Sequence, residues 1–155
     1  MQKIKINYSQ FQEQILLPYC SLLRSAVDVR NDSNSIIHCS QWFPFKEIAT
    51  ACFPNVPYED IKIGINFVEI DGNIPSSEEL HIHISMLIAI VVFGKGLMLY
   101  EKDGIQLSEE AEAGDMIFVP RNAPHYFEGL PKIKYAAIEF GPLIDYQKHH
   151  PKSLS

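Results

Sequence analysis

From residue 61 onward the apolar positions recur with the short period of β-strands. "IKIGINFVEI" (61–70) alternates apolar and other residues, and "HIHISMLIAIVVF" (81–93) is a continuous apolar run behind two histidines. "GLMLYEKDGIQLSEE" (96–110) contains the turn signal Asp103-Gly104, and "GDMIFVP" (114–120) and "KIKYAAIEF" (132–140) follow. Strands at this spacing predict a sandwich or barrel. Upstream the period changes. "FQEQILLPYCSLLRSAVDVR" (11–30) places Phe11, Ile15 and Leu16 at helical spacing around a breaking Pro18 and predicts a helix. "SIIHCSQWF" (35–43) predicts a strand, "FKEIATACF" (45–53) a short helix bounded by Pro44 and Pro54, and "PNVPYED" (54–60) a loop. The expected organisation is one structural domain: a helix and strand extension at 1–60 packed on a barrel at 61–142, with a polar tail at 143–155.

A length of 155 residues with 46% hydrophobic content suits one core. A net charge of −6 and a pI near 5.4 argue against a nucleic-acid surface. The N-terminus lacks an uninterrupted apolar stretch, and no run reaches the roughly 18–20 apolar residues of a membrane span, so a soluble, cytoplasmic chain is expected. Cys20, Cys39 and Cys52 are odd in number and form no C-x-x-C pair, which predicts neither a disulfide framework nor a thiolate zinc site.

His81 and His83 lie one residue apart in a strand-like run, so their side chains project to one face about 6.5–7 Å apart. Two imidazoles in that relation can form two arms of a chelate, and a third ligand must come from another strand. His125, in "GDMIFVPRNAPHYFEG", is the candidate. A single buried histidine is more often a hydrogen-bonded core residue. His38, His149 and His150 match no such pattern and are read as surface residues.

These two stretches resemble the signature motifs of the cupins. The first motif has His-x-His, a Glu three or four residues later and a Gly after six more; this chain has His81, His83, Leu87 and Gly94. The second has Gly, five residues, Pro, one residue, Gly, two residues and His; this chain has Gly114, Pro120, Asn122 and His125, with Asn122 at a turn position usually held by Gly. Asn tolerates positive φ better than other non-glycine residues. The resemblance covers residues 60 to about 140. It implies a mainly β fold, a double-stranded β-helix or jelly-roll barrel with a short helical N-terminal segment. It also implies that His81, His83 and His125 point into the barrel mouth and hold one divalent metal ion, with iron first and manganese, nickel or zinc as alternatives.

Leu87 replaces the family's anionic ligand, so the implied site is neutral and leaves a divalent ion its full charge and open positions. Strand alternation nominates carboxylates that could compensate. If Lys62 faces water, then Ile61, Ile63, Ile65, Phe67 and Glu69 face inward; if Lys134 faces water, then Ile133, Tyr135, Ala137 and Glu139 do. A bulge or strand end would return Glu69 or Glu139 to solvent. Leu87, Ala89, Val91 and Phe93 share parity with the histidines and predict a partly apolar cavity, and Arg121 could pair with a substrate carboxylate.

Substrate-binding candidates are therefore Glu69, Leu87, Arg121, Tyr135 and Glu139. Three readings stay open: a small-molecule metalloenzyme resembling the three-His cupins that are non-haem iron dioxygenases, a non-catalytic module that binds or senses a small ligand, and a metal-independent sugar isomerase or epimerase using Tyr126 or Tyr135. A homodimer is also expected, on the premise that Gly64, Val68, Ile70 and the "WFPF" segment (42–45) form an apolar outer face.

Overall fold

The computed structural model describes residues 19–24, the strands at 27–29 and 37–39, and residues 45–74 and 79–144. Its elements are β1 (Ser21–Leu23), β2 (Val27–Val29), β3 (Ile37–Cys39), α1 (Phe45–Cys52), a 3-10 turn (Tyr58–Asp60), β4 (Lys62–Asp71), β5 (Met86–Lys102), β6 (Ile105–Glu112), β7 (Met116–Val119) and β8 (His125–Gly141). The protein is mainly β, with antiparallel strand pairing. Among the described residues no helix is long and apolar enough to cross a membrane.

β5 is the spine. One edge pairs with β8, from Met86 opposite Phe140 to Tyr100 opposite His125. The other edge changes partner along its length, pairing with β7 at Leu87 to Ile90 and with β6 at Lys95 to Lys102. The changeover coincides with register shifts between Val91 and Phe93 and between Gly94 and Gly96. Such irregularities bend a strand and increase its twist, which lets one strand pair with β7 along one half and with β6 along the other. Gly94 sits in this bend at φ 75°, and a Cβ there would collide with the Lys132 carbonyl oxygen, so the position accepts only glycine without rearrangement. β4 closes the other edge of β8, and β1 pairs with β7. Among the described strands the sheet does not close into a complete barrel.

Alternate side chains of β5 and β8 supply two cores. Leu87, Ala89, Val91, Met98, Phe127, Ile133, Tyr135 and Ala137 pack on the inner face. Met86, Ile88, Ile90, Met116, Phe118 and Phe140 face outward and are covered by Ile48, Ala49 and Phe53. This second layer explains why β5 begins as an unbroken apolar run: both of its faces are buried. α1 presents Phe45, Ile48, Ala49 and Cys52 at the i, i+3, i+4, i+7 spacing of one helix face, and Phe45 and Phe53 meet the Phe140 ring edge-on at centroid distances of 5.0 and 6.2 Å.

Three expectations change: the helix over 11–30, the inward face of β4 and, with it, the face proposed for the dimer. The segment 11–30 is not one helix, because β1 and β2 fall within its second half; residues 11–18 lie outside the described residues. β3 falls within the strand expected at 35–43, whose remaining residues also lie outside them. The parity of β4 is reversed. Pairing with β8 sets Gly64 opposite Glu139 and Val68 opposite Tyr135, so even-numbered residues face inward and Ile63, Ile65 and Phe67 are 52%, 65% and 75% exposed. Lys62 misled because it stands at the strand's first position, where a long side chain reaches water from either face. Glu69 accordingly lies outside, at 3.2 Å from Lys132 Nζ and 3.7 Å from Lys134 Nζ, and not in the cavity. The residues proposed for the dimer face change with it: Gly64, Val68 and Ile70 point inward. Of "WFPF", residues 42–44 lie outside the described residues, and Phe45 packs against Phe140.

The outer layer yields a stability prediction. Phe140→Ala removes a fully buried ring from beneath α1 and is expected to cost about 3–5 kcal/mol in urea unfolding. A loss below about 1 kcal/mol would contradict the packing of the helix on this face.

Candidate metal centre

His81, His83 and His125 are brought together by backbone pairing before any ligand is considered. His81 and His125 form an isolated antiparallel bridge in which His81 N–H donates to His125 O at 3.1 Å and His125 N–H donates to His81 O at 3.0 Å. The 81–93 run is not one straight strand, since a bend at 84 and 85 precedes β5, yet His81 and His83 still turn to the same side. Asn122 N–H donates to His83 O at 2.8 Å and joins the turn before β8 to the first motif. Asn122 holds φ 64°, the left-handed conformation anticipated for the residue standing in for glycine.

The three rings lie 4.5 Å (His81–His125), 5.0 Å (His81–His83) and 5.5 Å (His83–His125) apart between centroids. One nitrogen from each falls within 4.8 Å of the others. Bonds of about 2.1 Å in tetrahedral geometry would place ligand nitrogens about 3.4 Å apart. Small ring rotations close that difference. His125 and His81 are 1% and 9% exposed.

Two hydrogen bonds set the tautomers. His81 Nδ1 is 2.9 Å from Glu79 O, and His125 Nδ1 is 2.8 Å from Ala123 O. A carbonyl oxygen only accepts, so in each case Nδ1 carries the proton and the neutral ring keeps its lone pair on Nε2. Both histidines use the carbonyl two residues earlier in the chain, one in each motif. Metal-binding imidazoles donate their other ring N–H to a carboxylate, a backbone carbonyl or water, which fixes ring orientation and leaves the second nitrogen for the ion. The donor set therefore fits a divalent transition ion.

The cluster forms one wall of a cavity of about 390 Å³, lined also by Gly64, Asn66, Val68, Leu87, Phe127, Tyr135, Ala137 and Glu139. Of the sequence candidates, Leu87, Tyr135 and Glu139 are here. Glu139 Oε1 is 4.0 Å from His83 Nδ1, and Ser85 Oγ donates to Glu139 Oε2 at 3.4 Å. Arg121 is exposed and does not line the cavity; its guanidinium lies 5.4 Å from the centroid of the Phe53 ring. Phe93 also misses the cavity and is 48% exposed, because the register shift after Val91 turns it outward. Ser85 was not anticipated, although a hydroxyl inside an apolar run signals a buried group that needs a partner. Cys20 and Cys52 are not part of the centre. Burial pushes both thiols up to about 12, which keeps them protonated near neutrality.

No protein-family model matches the chain, and no curated protein matches it. Solved structures that resemble it are cupin-fold proteins. They include hydroxypropylphosphonic acid epoxidase from S. wedmorenis (17% identity over 50% of this chain and 42% of that one, TM-score 0.44). Acireductone dioxygenase from Bacillus anthracis, with a cadmium ion in its active centre, is 26% identical over 55% of this chain and 53% of that one, with a TM-score of 0.41. The S161A mutant of the Bacillus subtilis oxalate decarboxylase OxdC is 25% identical over 56% of this chain and 23% of that one, with a TM-score of 0.44. The chain thus spans about half or less of the length of the structures it matches. The likeness is partial, and the chain's own geometry is more specific. Its antiparallel strands bring the two histidine-bearing segments together and set His81, His83 and His125 side by side.

Proposed function

We propose that His81, His83 and His125 hold one divalent metal ion, iron first, and that the chain is a small-molecule metalloenzyme of the non-haem dioxygenase type. The observation that carries this reading is the convergence of three imidazoles on one cavity wall, two of them held by backbone carbonyls in the tautomer that presents Nε2. A divalent ion there would supply Lewis acidity and, as iron, access to dioxygen chemistry.

The protein residues define the ligand. Three neutral imidazoles do not offset the charge of the ion, and Leu87 occupies the position of the family's anionic ligand without coordinating, so an anionic or chelating head group fits at the metal. Leu87, Phe127 and Ala137 line apolar walls that exclude water around the rest of the ligand, and Tyr135 adds a hydroxyl from β8. A cavity of about 390 Å³ suits a small, partly apolar molecule. We also propose a homodimer, now through the exposed Ile63, Ile65 and Phe67 on the edge strand β4; a single 17.7 kDa species in sedimentation at micromolar concentration would exclude it.

Metal analysis of protein purified without a histidine tag tests the main reading. One iron or other divalent ion per chain is expected, lost in His81→Ala and lost progressively from the wild type between about pH 7.5 and pH 5, since a protonated imidazole has no lone pair to donate. Substoichiometric metal that is unchanged in His81→Ala would overturn it.

Leu87→Glu provides an independent test. Position 87 is buried, lines the cavity and lies opposite Glu139 on β8, so the new carboxylate would face an existing one. Without metal the variant is expected to lose about 2–4 kcal/mol. Manganese should restore its thermal midpoint, since the new carboxylate together with the histidines would hold the ion. A loss that manganese fails to rescue would count against the metal site.

A further inference from the structure

The strand register places a carboxylate one strand away from where the first motif lacks one. Leu87 on β5 and Glu139 on β8 are direct cross-strand partners, and on the other side of β8 Glu139 pairs with Gly64 of β4. Paired residues in an antiparallel sheet project from the same face. Glu139 therefore shares the inner face with Leu87 and lines the same cavity as the three histidines, while Gly64 puts no side chain between them.

The direction of approach defines the role. Glu139 Oε1 lies 4.0 Å from Nδ1 of His83, and Oε2 accepts from the buried Ser85 hydroxyl at 3.4 Å, which restrains the carboxylate through its other oxygen. The His83 side chain is 11% exposed and that of Glu139 18%, so water screens the pair only weakly. An imidazole that binds an ion through Nε2 has a proton on Nδ1, and a carboxylate accepting that proton fixes the ring and raises its donor strength. A charge-assisted contact of this kind is about 2.8 Å long, and rotation about the glutamate's own bonds covers the remaining distance of about 1.2 Å.

We propose that Glu139 is the positioning residue of the centre: it supplies from β8 the negative charge that Leu87 does not supply from β5, acting through His83 Nδ1 and not as a ligand. This inference rests on the metal reading above. It divides two functions that one motif glutamate would combine. The carboxylate still offsets part of the ion's charge, while the coordination position it would have filled stays open for a chelating substrate. It also gives each histidine an oxygen acceptor at Nδ1: Glu79 O for His81, Ala123 O for His125 and the Glu139 carboxylate for His83.

The test is a Co²⁺ titration of the full chain, followed by visible absorption, for the wild type, Glu139→Gln, Glu139→Ala and, as a control, Glu128→Gln, an exposed carboxylate on the same strand. Glu139→Gln keeps the shape and the contact with Ser85 but removes the charge. It is expected to weaken Co²⁺ binding about 10–100-fold and to change the absorption envelope. The thermal midpoint of the metal-free protein should stay at the wild-type value, and Glu128→Gln should bind within about twofold of wild type. Glu139→Ala should lose at least as much affinity as Glu139→Gln. Wild-type binding that is unchanged in Glu139→Gln would overturn the role of Glu139 and leave the metal centre standing. An affinity loss matched by a fall in the metal-free midpoint would also overturn it, by showing a structural effect. A wild type without saturable Co²⁺ binding would overturn the metal reading and this inference together.

Discussion

The pairing of β5 with β8 is the constraint on which the rest of the structure depends. These two strands carry the inner core, the outer core and most of the cavity wall, and their register decides which residues meet. At one end it sets Leu87 against Glu139, and at the other it sets Tyr100 against His125. His125 is then placed to exchange both backbone hydrogen bonds with His81, which draws the first motif onto the second. A slip of one residue would turn Glu139 outward and Ile138 into the cavity, so the register is specified by both faces at once.

The electrostatics of the centre follow from this scaffold. Three imidazoles without an adjoining carboxylate would present an ion at its full charge in a partly apolar cavity, where charge is costly to hold. In the proposed arrangement the glutamate on β8 would ease that cost through His83, while Leu87 on β5 brings no oxygen ligand of its own. The site is thereby suited to a ligand that brings its own negative charge.

Much of this was legible in the sequence, for identifiable reasons. Strand alternation placed Leu87, Tyr135 and Glu139 on the inner face because β5 and β8 are central strands whose two faces differ clearly in what they meet. The same argument failed on β4. That strand lies at the sheet edge, its outer face carries exposed Ile63, Ile65 and Phe67, and apolar content no longer distinguishes inside from outside. Only pairing with β8 fixes its parity, and pairing is not visible in a local pattern. Phe93 failed for a related reason, since a bulge shifts parity without a strong local signal beyond the glycine that follows it. Arg121 was legible as a residue near the second motif, but the direction of a turn side chain depends on what packs beneath it, here Phe53. The short β1 was hidden because Ser21, Leu22 and Leu23 form a strand only by pairing with β7.

The central claim is that three Nε2 atoms share one ion, and anomalous diffraction from crystals grown with Co²⁺ tests it most directly. The account predicts a single peak in the cavity, about 2.1 Å from Nε2 of His81, His83 and His125, with Glu139 turned toward His83 Nδ1 and outside the coordination sphere. A cavity without a peak, or a peak bound by fewer than all three histidines, would contradict it.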